Sequence, residues 1–433
     1  MGMRLLKVLS DQNPRTIAAR VLGRRSGGDY IEHLLEQNLK DATLSGPDRA
    51  LCQELVYGVV RWQATLDWLI ARKTPGRTQK PALQTLLRLG LYQIFWLARI
   101  PNHAAVHETV EEAKRSGFGP QAGFVNALLR GYIRELDATK LALADLRNSQ
   151  PHLGYSHPEW LVQRWLSRFG ADSTRQLLEW NNTPPHTFAR VNTLKGDAGS
   201  LLTQWRDENV EYDFVRRDWI EENLAFELKS HPPLHRLASF QQGRFYVQDP
   251  STLLAVSLLE PHPGESVLDL CAAPGGKLGY LAQLMRNEGR LVAHEPAPDR
   301  IKFLEENRTR LGLECEITAT LDQGKYDRIL IDAPCSNTGV MRRRVDLRWR
   351  IQPAEIERLR NTQLKLLQQA KEFLKPSGSI VYSTCSLEPE ENADLIKQFL
   401  AQNPGWTLDV ERSLLPFRDQ VDGAYVASLR ASP

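Results

Sequence analysis

The chain has 433 residues, 42% of them hydrophobic and 25% charged, with a formal net charge of +3. This length accommodates two or three domains with cores of their own, and the composition is that of an ordinary globular protein. No apolar run approaches the roughly 20 residues that span a bilayer, so no membrane association through a spanning helix is expected.

The first fifteen residues mix Arg4, Lys7 and Asp11 with few consecutive apolar residues and no small-residue cleavage pattern, so a signal peptide is not expected and the cytoplasm is the expected compartment. Cys52, Cys271, Cys315, Cys335 and Cys385 are odd in number and widely spaced, without a Cys-x-x-Cys pair. That pattern argues against a zinc site or a disulfide framework, and no metal is expected. The net charge hides an uneven distribution. Residues 1–140 carry 20 Lys and Arg against 13 Asp and Glu, whereas 141–240 carry 11 against 13 and 241–433 carry 24 against 26. A basic N-terminal part suits polyanion binding, because phosphate contacts give sequence-independent affinity; a merely solvated basic surface explains the charge equally well.

From Asn13 to Leu136 apolar residues recur three and four apart: Ile17, Val21; Ile31, Leu34, Leu35; Leu51, Leu55, Val56, Val59. Pro47, Pro75, Pro81, Pro101 and Pro120 fall between the runs. An all-α bundle over 1–140 follows, with prolines where helices start or stop. The stretches "DRALCQELVYGVVRW", "LRLGLYQIFWL", "HAAVHETVEEAK" and "GFVNALLR" read first as buried helix faces. Together they resemble the NusB-type RNA-binding helical domain, which implies RNA as the polyanion.

Over 141–240, an amphipathic pattern from Trp160 to Trp165 and strand-like runs at 187–192, 211–215 and 245–247 predict a small α+β connector. Arg190 and Lys195 are candidates there for contacts with RNA phosphates, against the plain reading of exposed strand-end charges.

Over 241–433 strand and helix patterns alternate, which predicts a Rossmann-like parallel sheet with helices on both faces. The expected strands are 266–270, 290–294, 315–319, 328–331 and 379–382. Between the first strand and its helix lies Asp269-Leu270-Cys271-Ala272-Ala273-Pro274-Gly275-Gly276-Lys277, a turn where α/β folds bind nucleotides at a helix N-terminus. Cys271 stands where a P-loop has its first glycine, and Leu278 where it has Ser or Thr; the dinucleotide spacing Gly-x-Gly-x-x-Gly is also absent. S-adenosylmethionine, which has a ribose and an adenine but no phosphate, remains. Glu295, at the end of the second strand, suits its ribose hydroxyls.

Asp332 and Cys335 follow another strand in Ile329-Leu330-Ile331-Asp332-Ala333-Pro334-Cys335-Ser336, and Cys385 follows the next in Tyr382-Ser383-Thr384-Cys385-Ser386. The two cysteines are 50 residues apart on loops expected to meet at one sheet edge. A lone cysteine is more often a small buried hydrophobe, but two such placements weigh evenly between chemistry and packing. "DLCAAPGGK", "DAPCSNTGV" and "STCSLEPEEN" together resemble the RNA cytosine-5 methyltransferases, and the helical N-terminus narrows the resemblance to the bacterial RsmB (Sun/Fmu) group.

The resemblance implies methylation of carbon 5 of a 16S ribosomal RNA cytosine, of the nucleotide 967 type, by a monomer. It also implies Cys385 as the nucleophile, Cys335 as the thiol assisting product release, and Asp332 and Lys277 beside the reacting base. The implied cofactor residues run from Cys271 through Lys277 and add Glu295, Arg300, Asp322 and Asp332, with Cys271 the least expected of the three thiols here to be catalytic. Such chemistry needs a thiolate, because carbon 5 of cytosine is a poor nucleophile until a thiolate adds to carbon 6. The run Arg342-Arg343-Arg344-Val345-Asp346-Leu347-Arg348-Trp349-Arg350 offers five guanidinium groups and a stacking surface to single-stranded RNA; Arg342, Arg343, Arg344 and Arg348 are the RNA candidates.

Two departures from the group stand out. Arg344-Val345 replaces its usual His-Pro, and the loop at Asp322, expected on the adenine side, is short. The shortened loop motivates an alternative, an RNA-binding ribosome-assembly factor with an inactive methyltransferase domain; both cysteines, Asp332 and Lys277 oppose it.

Overall fold

In the computed structural model, residues 13–25, 29–40, 42–321 and 324–431 are described. They form two compact units, one of residues 1–183 with 344–350 and one of 184–343 with 351–433.

The first unit is helical. Its long helices are α1 (Pro14–Arg24), α2 (Ile31–Lys40), α3 (Gly46–Arg61), α4 (Gln63–Lys73), α5 (Pro81–Trp96), α6 (Asn102–Arg115), α7 (Ala122–Arg134), α8 (Leu136–Ser149) and α9 (Glu159–Asn182). Starts are set by side chains that satisfy the free N–H groups of the first turn. The Asn13 carboxamide oxygen accepts from Arg15 N at 2.9 Å, and Ser45 Oγ accepts from Asp48 N at 3.2 Å. Pro14, Pro47 and Pro81 occupy first-turn positions, where a missing N–H costs nothing. Gly170, with φ of 77°, breaks α9 into two helical stretches. The core contains the expected stripes, among them Ile17, Val21, Leu34, Leu55, Leu87 and Leu129.

Residues 344–350 belong to this unit, and Val345 and Trp349 pack on the same core. Arg348 is fully buried. It donates to Asn182 Oδ1 at 2.8 Å and to the carbonyls of Asn181 (2.8 Å), Arg61 and Ser156 (both 3.2 Å). Asp346 accepts from Arg25 and Arg350. Among the described residues, no helix of either unit is long and apolar enough to cross a membrane.

The second unit holds two sheets. An antiparallel one, in the order β2-β3-β1-β4, is formed by β1 (Thr187–Val191), β2 (Glu211–Phe214), β3 (Ala225–Ser230) and β4 (Phe245–Val247), with α10 (Ala198–Asp207) burying Trp205 against it. The larger sheet runs β10-β11-β9-β8-β5-β6-β7, from β5 (Ser266–Asp269), β6 (Arg290–His294), β7 (Glu316–Thr318), β8 (Tyr326–Asp332), β9 (Leu374–Thr384), β10 (Trp406–Leu414) and β11 (Ala424–Ala431). β11 is antiparallel to both of its neighbours, and the pairs from β9 through to β7 are parallel.

Successive residues of the larger sheet serve opposite faces. Val267, Leu330, Val381 and Val426 point into one core, shared with α11 (Leu253–Leu259) and α12 (Gly276–Leu284). Leu268, Ile329, Ile331, Ile380 and Tyr382 point into the other, with α14 (Pro353–Glu372) and α15 (Ala393–Gln402). The near-continuous apolar strands follow from this two-sided burial. From β5 the chain winds outward through β6 and α13 (Pro298–Leu311) to β7, then crosses back to β8 on the other side of β5. The strand order therefore reverses between β5 and β8, and the crevice beyond their C-terminal ends is where such sheets bind ligands.

Candidate active site

Three loops leave the sheet at that crevice, after β5, β8 and β9. After β5, Gly275 adopts φ of 103°, a region that excludes side chains, and α12 begins at the next residue. Asp269, the last residue of β5, is 1% exposed, and neither of its carboxylate oxygens has a hydrogen-bond partner. Burial, with Asp332 nearby, pushes its carboxyl up to about 7. Glu295, just past β6, is also buried; it accepts from Ala297 N at 3.0 Å and lies 2.9 Å from Arg300 Nη1. Arg300 in turn donates to the Ala273 carbonyl at 2.7 Å, which ties α13 to the turn. Ala272 and Ala273 are buried and Pro274 follows a cis peptide bond. Burial pushes the Cys271 thiol well up.

Carboxyl groups thus outnumber cations around this turn. Buried acceptors left short of donors, beside a helix N-terminus, fit a ligand that brings hydroxyl or ammonium donors and a positive charge. Asp322 lies outside the described residues.

After β8, Asp332 Oδ2 lies 2.6 Å from Lys277 Nζ, and its Oδ1 accepts from Ser383 Oγ at 3.1 Å. Burial would lower the Lys277 ammonium, but Asp332 outweighs it and the group is held above its ordinary value. Cys335 and Cys385 come together with their sulfurs 3.2 Å apart. Cys385 Sγ also donates to Asn337 Oδ1 at 3.0 Å, while Asn337 Nδ2 donates to the Cys335 carbonyl at 2.6 Å. Its hydrogen bond with Cys385, together with burial, raises the Cys335 thiol far above its usual range. Cys335 is buried, Cys385 less so. The loops are held by backbone contacts as well: Gly339 N donates to the Cys385 carbonyl at 2.9 Å. A Cβ on Gly339 would fall 2.7 Å from both that oxygen and Gly423 Cα, so only glycine fits.

The arginine expectations need correction. Arg190 is 1% exposed, with its guanidinium 5.1 Å from the Tyr280 ring centroid, and it serves the packing of β1 on α12. Arg342 is equally buried. It donates to Asp422 at 2.6 Å and to Asp249 at 3.2 Å, and Arg343 pairs with the same two carboxylates. Arg348 is committed to carbonyls of the helical unit. Arg342, Arg343 and Arg348 hold chain segments together, and Arg190, Arg342 and Arg348 are buried away from the surface. Lys195 and Arg344 are exposed.

Residues given no role by the sequence reading are Asp269, Asn337, Ser383 and Glu391, all four within the quoted motifs. For Asp269 and Ser383 a polar residue at the end of an apolar strand was the available signal. Cys52 and Cys315 lie away from this cluster, and burial pushes both thiols up to about 11. No cluster of possible metal ligands occurs among the described residues.

Comparison with known proteins gives three family matches along the chain. Residues 12–134 match the NusB family, 157–227 a ferredoxin-like domain of RsmF/B-like methyltransferases, and 256–430 the 16S rRNA methyltransferase RsmB/F family. The chain is 34% identical to the "Probable ribosomal RNA small subunit methyltransferase B" of Bacillus subtilis, over 93% of this chain and 94% of that protein. It is also 34% identical to ribosomal RNA small subunit methyltransferase B of Klebsiella pneumoniae, over 94% and 97%. Among solved structures, that of PH0851 superposes with a TM-score of 0.76 at 24% identity, covering 96% of this chain and 98% of that one. NSun6 from Pyrococcus horikoshii, solved with SFG, superposes with a TM-score of 0.57 at 21% identity, covering 64% and 98%.

Proposed function

Because the chain belongs to the family of 16S rRNA methyltransferases named RsmB/F, we propose that it methylates carbon 5 of a cytosine in 16S ribosomal RNA, of the nucleotide 967 type, through a covalent bond between Cys385 and carbon 6. The observation that carries this reading is the pair of sulfurs 3.2 Å apart, beside the Lys277–Asp332 ion pair at the crevice.

S-adenosylmethionine, when bound, supplies an electrophilic methyl group on a sulfonium. Glu295, oriented by Arg300, would accept hydrogen bonds from its ribose hydroxyls, Asp269 and Asp332 would complement its positive charge, and the turn from Cys271 to Lys277 would hold it. The remaining steps belong to the chain. Cys385, oriented by Asn337, gives its thiol proton to water and adds its sulfur to carbon 6, and the ring nitrogen beside the exocyclic amine takes up a proton from the Asp332–Lys277 pair. Carbon 5 becomes enamine-like and nucleophilic. After transfer, the proton on carbon 5 passes to water, and its electron pair restores the carbon 5–carbon 6 double bond as the carbon–sulfur bond breaks. Cys385 leaves as a thiolate, with Cys335 assisting the release, and the ring nitrogen returns its proton to the Asp332–Lys277 pair. The target base has to leave any stack to reach the crevice, which favours looped or single-stranded RNA. The basic charge of residues 1–140, with Lys195 and Arg344, supplies affinity for the phosphates.

Bisulfite sequencing of 16S ribosomal RNA from cells lacking the protein tests the proposal. One cytosine, protected in the parent, is expected to become convertible; an unchanged pattern would overturn it.

A further inference from the structure

Each catalytic cysteine is followed directly by a serine, Ser336 after Cys335 and Ser386 after Cys385. Both serines turn away from the crevice to the same buried side chain. Glu391, fully buried ahead of α15, accepts from Ser336 N at 2.8 Å, from Ser336 Oγ, from Ser386 Oγ at 2.5 Å and from Gln363 Nε2 at 3.0 Å. The two hydroxyl oxygens are 2.9 Å from each other. Gln363, on α14, also donates to the Pro334 carbonyl at 2.9 Å, so the Cys335 loop is gripped on both sides of the thiol.

Glu391 is itself fixed. Tyr382 OH donates to its carbonyl at 2.7 Å, and the neighbouring Asn392 accepts from Thr384 Oγ1 at 2.6 Å and donates to the Ser386 carbonyl at 2.9 Å. A buried carboxyl needs donors, and four are supplied, but two loops could have been anchored by two separate groups. Sharing one carboxylate instead couples the loops, because neither Cys-Ser pair can shift without straining bonds that hold the other.

We propose that Glu391 is a positioning residue that sets the spacing of the two catalytic sulfurs and thereby the release step of the reaction. The proposal rests on the covalent Cys385 reading above. Adduct formation needs Cys385 alone, whose loop loses one bond, that of Ser386 Oγ, when Glu391 is altered. Release needs Cys335 close to the Cys385 sulfur, and Cys335 loses two of its loop's bonds. Loosening the carboxylate should therefore harm release more than formation.

The test compares Glu391→Gln with Cys335→Ala in the full chain, using an unmodified 16S ribosomal RNA fragment and S-adenosylmethionine. Glu391→Gln is expected to accumulate a covalent protein–RNA band on a denaturing gel. Its turnover should fall about 10- to 100-fold, with cofactor affinity by calorimetry unchanged, as misplacement by a fraction of an ångström to an ångström would give. Ser336→Ala, which keeps the carboxylate and removes one donor, should do the same more weakly and guards against a folding defect in the first variant. In a Cys335→Ala background, Glu391→Gln should add no further slowing. Absence of the band in both Glu391→Gln and Ser336→Ala, while Cys335→Ala accumulates it, would overturn the positioning role alone. Absence of the band in Cys335→Ala as well would overturn the covalent reading beneath it.

Discussion

Two buried carboxyl groups at the same end of the catalytic sheet are treated in opposite ways. Asp269, beneath the glycine turn, has no hydrogen-bond partner on either oxygen, and burial lifts its carboxyl to about 7. Glu391, behind the thiols, is just as deep and takes four donors. A buried acceptor left short costs stability, and a filled one acts as a brace. The turn therefore leaves acceptors open, as the proposed cofactor site requires, whereas the thiol pair is assembled in advance.

The comparison breaks if the two regions fail to separate under mutation. The largest effect is expected from Cys385→Ala, which should bring methylation to background while calorimetry finds the cofactor bound as in the parent; substantial remaining turnover would remove the nucleophile role. Glu295→Ala should do the reverse. It loses hydrogen bonds to a charged group, so cofactor affinity should fall about 10- to 100-fold, and methylation should recover at saturating cofactor. A Glu295 variant with unaltered affinity would show that the turn is not the cofactor's site.

Asp269→Asn gives the smallest and most specific effect, a change in pH dependence. The folded carboxyl titrates at about 7 against an ordinary value of 3.8, so the folded chain holds the proton more tightly than the unfolded one. Its contribution to stability is fully present below the ordinary value and is lost as pH rises through 7. The unfolding free energy of the parent, from denaturant melts, should decline across that window by on the order of 2–4 kcal/mol, and that of Asp269→Asn should decline less. Parallel profiles would show that Asp269 is not held protonated.

The same contrast explains what could be read from the sequence. The glycine turn and the strand-end thiols were legible because each is a contiguous stretch whose local pattern, apolar strand then turn or reactive side chain, already implies its place on a parallel sheet. The meeting of Cys335 and Cys385 followed from topology alone. β10 was not legible, since only one of its nine residues is buried and its apolar signal is weak. Nor was the burial of Arg190, Arg342 and Arg348. A guanidinium is committed only by partners remote in sequence, here Tyr280, the pair Asp249 and Asp422, and the Asn181 carbonyl. An arginine-rich run then looks like an RNA surface until those partners are known. Glu391 was hidden for the same reason, because nothing in "EPEEN" tells that Ser336, 55 residues away, joins the nearby Ser386 on one of its acids.

The central claim is that Cys385 bonds to the RNA and Cys335 helps to release it, and trapping of the adduct tests it most directly. Cys335→Ala, incubated with an unmodified 16S ribosomal RNA fragment and S-adenosylmethionine, should yield a protein–RNA band that survives denaturing electrophoresis and disappears when Cys385→Ala is added. A band that forms in Cys385→Ala alone would reverse the two roles, and the absence of a band in both single variants would contradict covalent catalysis by this pair.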